Sequence, residues 1–227
     1  MIGVVVGTGL AFWQWERIWY WLSQPIASKK LQVAFIATSP LETMTTSLKV
    51  SLIAGFFFSF PWVLWQVWRF IAPGLFTRER YFFFGTFFSA LIMFLIGGAF
   101  CYYVVLPQGL TYLATYMQGA ITQSWRQSEY SAFIIQFLLA FGLLFELPVV
   151  TFVLGRLGLI TARSMWGFFR FAIVFIFIAA ALLTPGPDPV SQIMMALPLC
   201  LLYILSIGVC ALAQPRTPKP SLAEGET

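Results

Sequence analysis

The chain has 227 residues, 60% of them hydrophobic and only 9% charged, with a net charge of +5 and a mean hydropathy of +0.86. Soluble domains carry about 25% charged residues, so the composition leaves an integral membrane protein and excludes a soluble one, and no basic run points to nucleic acid. There is no histidine, which excludes His-based general-base catalysis and removes the commonest zinc and haem ligand. No Gly-rich phosphate loop, metal-ligand cluster or Ser–His–Asp set is present, so neither an enzyme nor a cofactor is expected. Cys101, Cys200 and Cys210 lie in apolar runs without C-x-x-C spacing and read as small apolar packers.

Residues 1–15 form an apolar run, short for a span of about 20 residues, in which Gly3 and Gly7 make a G-x-x-x-G helix-packing face. Residues 16–40 read as a polar excursion that opens with an aromatic belt of Trp13, Trp15, Trp19, Tyr20 and Trp21. Ser39-Pro40-Leu41-Glu42 is a helix start, with Ser39 as N-cap, Pro40 at N1 and Glu42 closing a capping box. That helix runs on as a second span, about 49–72, and breaks at Pro73-Gly74. A third span, 81–106, carries Gly97-Gly98 for close packing, with Tyr102-Tyr103 at its far interface. A second polar loop, 107–130, leads to a fourth span at 131–154, a short turn, a fifth span at 165–183 and a sixth at 190–213. Asp188 is placed to cap that last helix, with Pro189 at N1. The tail 214–227 is polar and Pro-rich and is expected to be disordered on the cytoplasmic side, beyond a single polytopic domain of residues 1–213.

Six spans put both termini on one side. That side holds Arg78, Arg80, Arg156, Arg163, Arg216 and Lys219, with Arg69 and Arg170 near helix ends; the other holds Arg17, Lys29, Lys30, Lys49 and Arg126. The bias favours cytoplasmic termini.

Glu146, in FGLLFELPVV, stands near the middle of the fourth span, where a carboxylate costs about 2.5–3.5 kcal/mol on insertion scales. Pro148 cannot bond back to the Leu144 carbonyl and should kink the helix there. A functional acid in a polar notch and a protonated side chain bonded to a neighbouring helix are both open readings. Glu79 has two readings as well: a first-turn residue behind a Thr77 N-cap, or a carboxylate offered to an incoming arginine. Gln66 and Gln192 read first as interhelical hydrogen-bonding amides, Glu42 as a capping residue, and the Trp62, Trp65, Trp68 stripe as a lipid or packing face.

Several short motifs then occur in a particular order: Ser39-Pro40-x-Glu42 with Lys49 and Ser51; Pro61; Gln66-x-Trp68-x-Phe70-x-x-Pro73-Gly74-Leu75; Glu79-Arg80; Phe145-Glu146-x-Pro148; Leu183-Thr184-Pro185; Asp188; Ser191-Gln192; and Pro198. Over about residues 20–210 the chain resembles the TatC family, the multispanning core subunit of twin-arginine protein translocation. The resemblance implies an all-α protein of six transmembrane helices in a concave, cup-like bundle. It also implies a receptor for the signal peptides of folded precursors, one that docks the single-span partners TatA and TatB, draws on the proton motive force, works as an oligomer and resides in the cytoplasmic or thylakoid membrane. By resemblance Glu79, with Arg80, Phe70 and Gln66 around it, belongs to the signal-peptide site. Glu146, Pro148 and Gln192 belong to the intramembrane face where partner helices dock, and Pro25, Glu42 and Asp188 to the cap outside the membrane.

Two features depart from the family pattern. The Glu-Leu-Arg segment that supplies a second acid ahead of the first span is not in this sequence, and the turn before the sixth span reads Thr-Pro-Gly-Pro-Asp-Pro, one residue longer before Asp188. From the residues alone, the rivals are a proton-coupled secondary transporter carrying its proton on Glu146 and a scaffold whose polar groups only hold helices together.

Overall fold

A computed structural model describes residues 2–27, 34–71, 80–115, 124–183 and 189–214. Helices α1 (Ile2–Trp13) and α2 (Trp15–Ala27) meet at a turn on Gln14. Strand β1 (Ala34–Ile36) and the long α3 (Pro40–Ile71) follow. Then come α4 (Arg80–Phe100), a five-residue π-helical turn (Cys101–Val105) and α5 (Leu106–Thr115). Strand β2 (Ser124–Arg126) precedes α6 (Gln127–Leu144) and α7 (Leu147–Arg156). The chain finishes on α8 (Ala162–Leu183) and α9 (Pro189–Ala213).

Five stretches among these are long and apolar enough to cross a membrane: Pro40–Val67, Phe84–Thr115, Gln127–Arg156, Ala162–Leu183 and Gln192–Ala213. The sixth membrane helix, α1, has 12 residues and lies along α3. Pro189, expected at N1, is the first described residue of α9. The proposed caps Thr77 and Asp188, the Pro73-Gly74 break and all but the first residue of the 214–227 tail lie outside the described residues.

Two expected loops contain ordered structure instead. The 16–40 excursion holds the amphipathic α2 and strand β1. The third span does not end at Leu106: it passes through the π turn and continues as α5 to Thr115. The physical reason is composition. Trp15, Ile18, Trp19, Leu22 and Ile26 give α2 an apolar stripe, and Leu106, Leu110 and Ala114 give α5 another, so each has a face to bury although polar residues interrupt it. Both stripes pack into the main core.

Helix crossings are made by small residues, as expected where lipid offers no hydrophobic drive for association. Ser59 Oγ donates to the Gly3 carbonyl at 2.7 Å, and a Cβ placed on Gly55 would meet the Thr8 backbone nitrogen at 2.5 Å. The G-x-x-x-G reading of α1 therefore holds, and its partner surface is Gly55 and Ser59 on α3. Gly97 allows α4 to approach α6, since a Cβ there would stand 2.7 Å from the Phe141 carbonyl oxygen. Phe60 stacks on Phe94 with ring centroids 3.5 Å apart, filling a second, smaller core between α3, α4 and α7.

At one end these helices carry a cap. Pro25, buried within α2, has no N–H to give the Trp21 carbonyl one turn back. Tyr102 supplies that bond: its hydroxyl donates to Trp21 O at 2.6 Å while its ring stacks on Trp21 at 4.0 Å. Tyr130 donates to the next carbonyl, Leu22 O, at 2.7 Å. The tyrosine at 102 is thus buried in the cap, while Tyr103 beside it is exposed.

Strands β1 and β2 pair in parallel, with Phe35 opposite Trp125. This brings Glu42, at the start of α3, beneath the start of α6. Its carboxylate accepts from the Thr38 N–H at 2.8 Å, the Thr38 hydroxyl at 2.7 Å and the Ser128 hydroxyl at 2.5 Å. Arg126 lies 3.5 Å from the same carboxylate and donates to Thr38 Oγ1 at 3.0 Å. The expected capping box closes on Thr38 rather than on the Ser39 N–H, because Glu42 also has to reach across to Ser128. α3 spans about 48 Å by its 32 residues, well over a hydrocarbon core of about 30 Å, so its first turns and Glu42 stand outside the membrane.

Two outcomes follow from the cap. If Tyr102 serves the carbonyl that Pro25 leaves open, Tyr102→Phe will destabilise the protein by roughly 1–3 kcal/mol. In a Pro25→Ala background the same change will cost clearly less; a double-mutant cycle of thermal unfolding in detergent measures the coupling, and simple additivity would refute the pairing. The second concerns Glu42. The hydroxyls of Ser128 and Thr38, the Thr38 N–H and the Arg126 charge hold its carboxylate at about 2, below the ordinary range. A lowered folded value gives stability that is present above the unfolded value and is lost as pH falls through the folded one. The melting temperature of Glu42→Gln should therefore lie below that of the parent by a constant margin at neutral pH. That margin should close only in acid, between the ordinary carboxylate value and about 2.

Candidate functional site

The fourth span is two helices. α6 stops at Leu144, Phe145 and Glu146 form a turn, and α7 restarts at Leu147 with Pro148 in its first turn. The expected kink is thus a break. Glu146 keeps right-handed backbone angles (φ −73°, ψ −17°), and its N–H reaches back only three residues, to Leu143 O at 3.1 Å. Pro148 has no N–H for the Leu144 carbonyl. The turn places the Glu146 side chain at mid-span, half-buried, with Oε1 fully buried and without a hydrogen-bond partner among the described residues.

Hollows flank this break. One, of about 530 Å³, lies between the third and sixth spans, with Phe145, Phe100, Val104, Leu197, Pro198 and Leu201 in its wall. Another, of about 420 Å³, is walled by Pro148 and Val149 with Thr86, Ser89, Met93 and Phe152. Both are lined mainly by apolar side chains, with Thr86 and Ser89 as polar groups in the one and Gln108 in the other, and they adjoin Glu146 through its chain neighbours Phe145 and Pro148.

Gln192 donates to the Phe177 carbonyl at 2.9 Å, tying α9 to α8, so one of its amide hydrogens already serves an interhelical bond as expected. Thr151 and Tyr203 make further links of this type, to Ser206 O at 3.3 Å and Met165 O at 3.0 Å. Gln66 does not conform: it is exposed on the outer surface of α3. Trp62 beside it is also exposed, whereas Trp65 packs edge-on against Phe87 at 5.3 Å, so the tryptophan stripe is part lipid-facing and part packing. Phe70 lies in the last turn of α3 and Arg80 opens α4. Glu79 lies outside the described residues, as does Asp188.

The site residues collect in three separate places. Gln66, Phe70 and Arg80 are at the end of the α3–α4 pair remote from the cap; Glu146 and Pro148 are at mid-span; Pro25 and Glu42 are in the cap. Sequence reasoning missed Thr38, Tyr102, Arg126 and Ser128, which complete the cap. Pro25 was the signal for Tyr102, since a proline inside a buried helix requires a donor from elsewhere. Nothing local pointed to Thr38, Arg126 or Ser128, because these contacts join segments 86–88 residues apart.

Comparison with known proteins identifies the family and the fold. The family model described as "Sec-independent protein translocase protein (TatC)" matches residues 1–198. A protein of that description from Helicobacter pylori (strain ATCC 700392 / 26695) is 41% identical over 217 residues, covering 93% of this chain and 83% of its own. One from Koribacter versatilis is 38% identical, covering 94% and 80%. One from Aquifex aeolicus is 34% identical, covering 94% and 89%. A solved structure described as "Crystal Structure of Twin Arginine Translocase Receptor- TatC" superposes with a TM-score of 0.86 at 34% identity, covering 93% of both chains. The fold is accordingly an all-α membrane bundle of six transmembrane helices with a concave face, to which the two-stranded ribbon of the cap is a small addition. The chain belongs to the TatC family: it is a multi-pass membrane protein and a component of the Sec-independent twin-arginine translocase, not an enzyme.

Proposed function

We propose that this subunit binds twin-arginine signal peptides of folded precursors and holds TatA and TatB helices against its mid-span acid during proton-motive-force-driven export. The observation that carries the reading is Glu146 Oε1, buried at a helix break without a partner among the described residues. An acid in that condition costs free energy unless something else completes it. A polar side chain on a partner helix, entering by the hollow beside Phe145, would do so. Gln192 supports the same face from α9, with its second N–H and its carbonyl oxygen still able to bond.

Glu79 pairs with signal-peptide arginine, with Arg80, Phe70 and Gln66 beside it, and a guanidinium rather than an ammonium is selected because it binds a carboxylate through two parallel bonds. Pro25, Glu42 and Asp188 shape the cap on the opposite face. The protein works as an oligomer in the cytoplasmic membrane, with both termini in the cytoplasm. The comparisons do not favour the secondary-transporter reading, and no second break of the Glu146–Pro148 kind occurs among the described residues.

Two measurements test the proposal separately. A crosslinker at position 79 should capture a twin-arginine precursor and lose it when both arginines become lysine; equal capture would sink the Glu79 assignment. Glu146→Ala should lower co-purification of TatA and TatB by about five- to tenfold, the worth of one intramembrane hydrogen bond, while precursor capture at position 79 persists. Unchanged partner retention would leave Glu146 a purely structural residue.

A further inference from the structure

The fifth span, α8, is the least covered by the rest of the chain: 11% of its span window is buried, against 33–44% in the other four. It carries two arginines, Arg163 and Arg170, both exposed. A spacing of seven puts them on one helix face, two turns and about 10 Å apart. The same face continues through Gly167 and Val174, which are exposed too, and a side chain added at Gly167 would meet nothing within 4 Å. The packed side of α8 lies elsewhere, on Ala172, Ala180 and the Phe169 ring against Tyr203. Neither arginine has an ion pair or hydrogen bond among the described residues, and none of the described acids lies on α7, α8 or the turn between them.

An arginine facing hydrocarbon is costly, and its long apolar stem lets the guanidinium rise toward the nearer interface. For Arg170 that direction is toward Arg163 and the start of α8. Trp166 stands between the two, 62% exposed and stacked on Phe169 at 5.5 Å, an aromatic at the depth where indole rings settle. Below Arg170 the exposed surface is wholly apolar, through Phe171, Val174, Phe175 and Ile178. A ligand that fits this face is anionic at one end and hydrocarbon at the other.

We propose that the Arg163–Arg170 face of α8 is a binding site for an anionic phospholipid, with the phosphate held between the two guanidiniums and an acyl chain laid along Val174 and Ile178. Planar guanidinium donors match phosphate oxygens, and basic side chains at the head-group level beside membrane helices attract anionic lipid.

The test uses the full chain, purified and delipidated in detergent, with bound lipid counted by native mass spectrometry during titration with phosphatidylglycerol or with phosphatidylcholine of the same chains. The parent should retain phosphatidylglycerol about tenfold better: both lipids offer the same phosphate, but the quaternary ammonium of phosphatidylcholine cancels its net charge and is repelled by the two guanidiniums. The double variant R163Q/R170Q should lose that preference and each single variant part of it, while R17Q, which removes an exposed arginine from α2 at the capped end, should keep it. If the double variant does not fold, the single variants decide. Equal retention of both lipids by the parent overturns the site, as does an unchanged preference in the arginine variants. Loss of co-purifying TatA or TatB from R163Q/R170Q with lipid preference intact would also overturn it and make the face a protein contact.

Discussion

Within a bilayer there is no water to satisfy a backbone amide, so every N–H and C=O at that depth must be bonded by the chain itself. Departures from helix are therefore expensive, and the described residues make few. The clearest among the described residues is the two-residue turn at Phe145–Glu146, where Pro148 withholds a donor from the Leu144 carbonyl. The same place holds an acid with a bare oxygen. Two costs thus coincide at mid-span, with largely apolar hollows on either side, and the proposed docking of a polar partner helix would offset both at one place.

The same backbone accounting explains the cap. Pro25 opens a gap in α2, and Tyr102, 81 residues beyond Trp21 along the chain, closes it. The π-helical turn, with its extra residue, is where the third span carries that tyrosine, and it lets Cys101, Tyr102 and Val105 all be buried while Val104 faces the hollow near Phe145. Close crossings at Gly55 and Gly97 follow from the other half of the membrane constraint. With no hydrophobic drive between helices, contact has to come from shape, and shape needs small residues.

Much of this was legible in the residues. Five long apolar runs fall on the five membrane-length helices, though the ends differ by up to nine residues, as at Thr115 against the expected Leu106, and Gly3 with Gly7 marked a crossing whose partner was not visible. Glu146 and Pro148 announced the break because a charge and a missing donor are both anomalous in hydrocarbon. The amphipathic α2 and the extension of the third span to Thr115 were less legible: they lie outside the bilayer core, where polar residues interrupt the apolar pattern and the signal resembles that of a loop. The Glu42 network could not be read locally at all. A glutamate three residues into a helix looks like an ordinary cap until Ser128 and Arg126 are brought to it by the pairing of two three-residue strands.

That pairing has a consequence for how the protein is made. Thr38 and Arg126 are 88 residues apart, and between them the chain crosses the bilayer twice, in α3 and in the α4–α5 run. Neither the ribbon nor the Glu42 network can exist until those crossings are complete and α6 has presented its first turn on the correct side. Long-range pairings of this kind form late. The cap thus acts as a latch on biogenesis: only a chain whose second and third spans have threaded in the right order and direction can close it, and a mis-inserted one is left with an unpaired carboxylate and two loose strand edges.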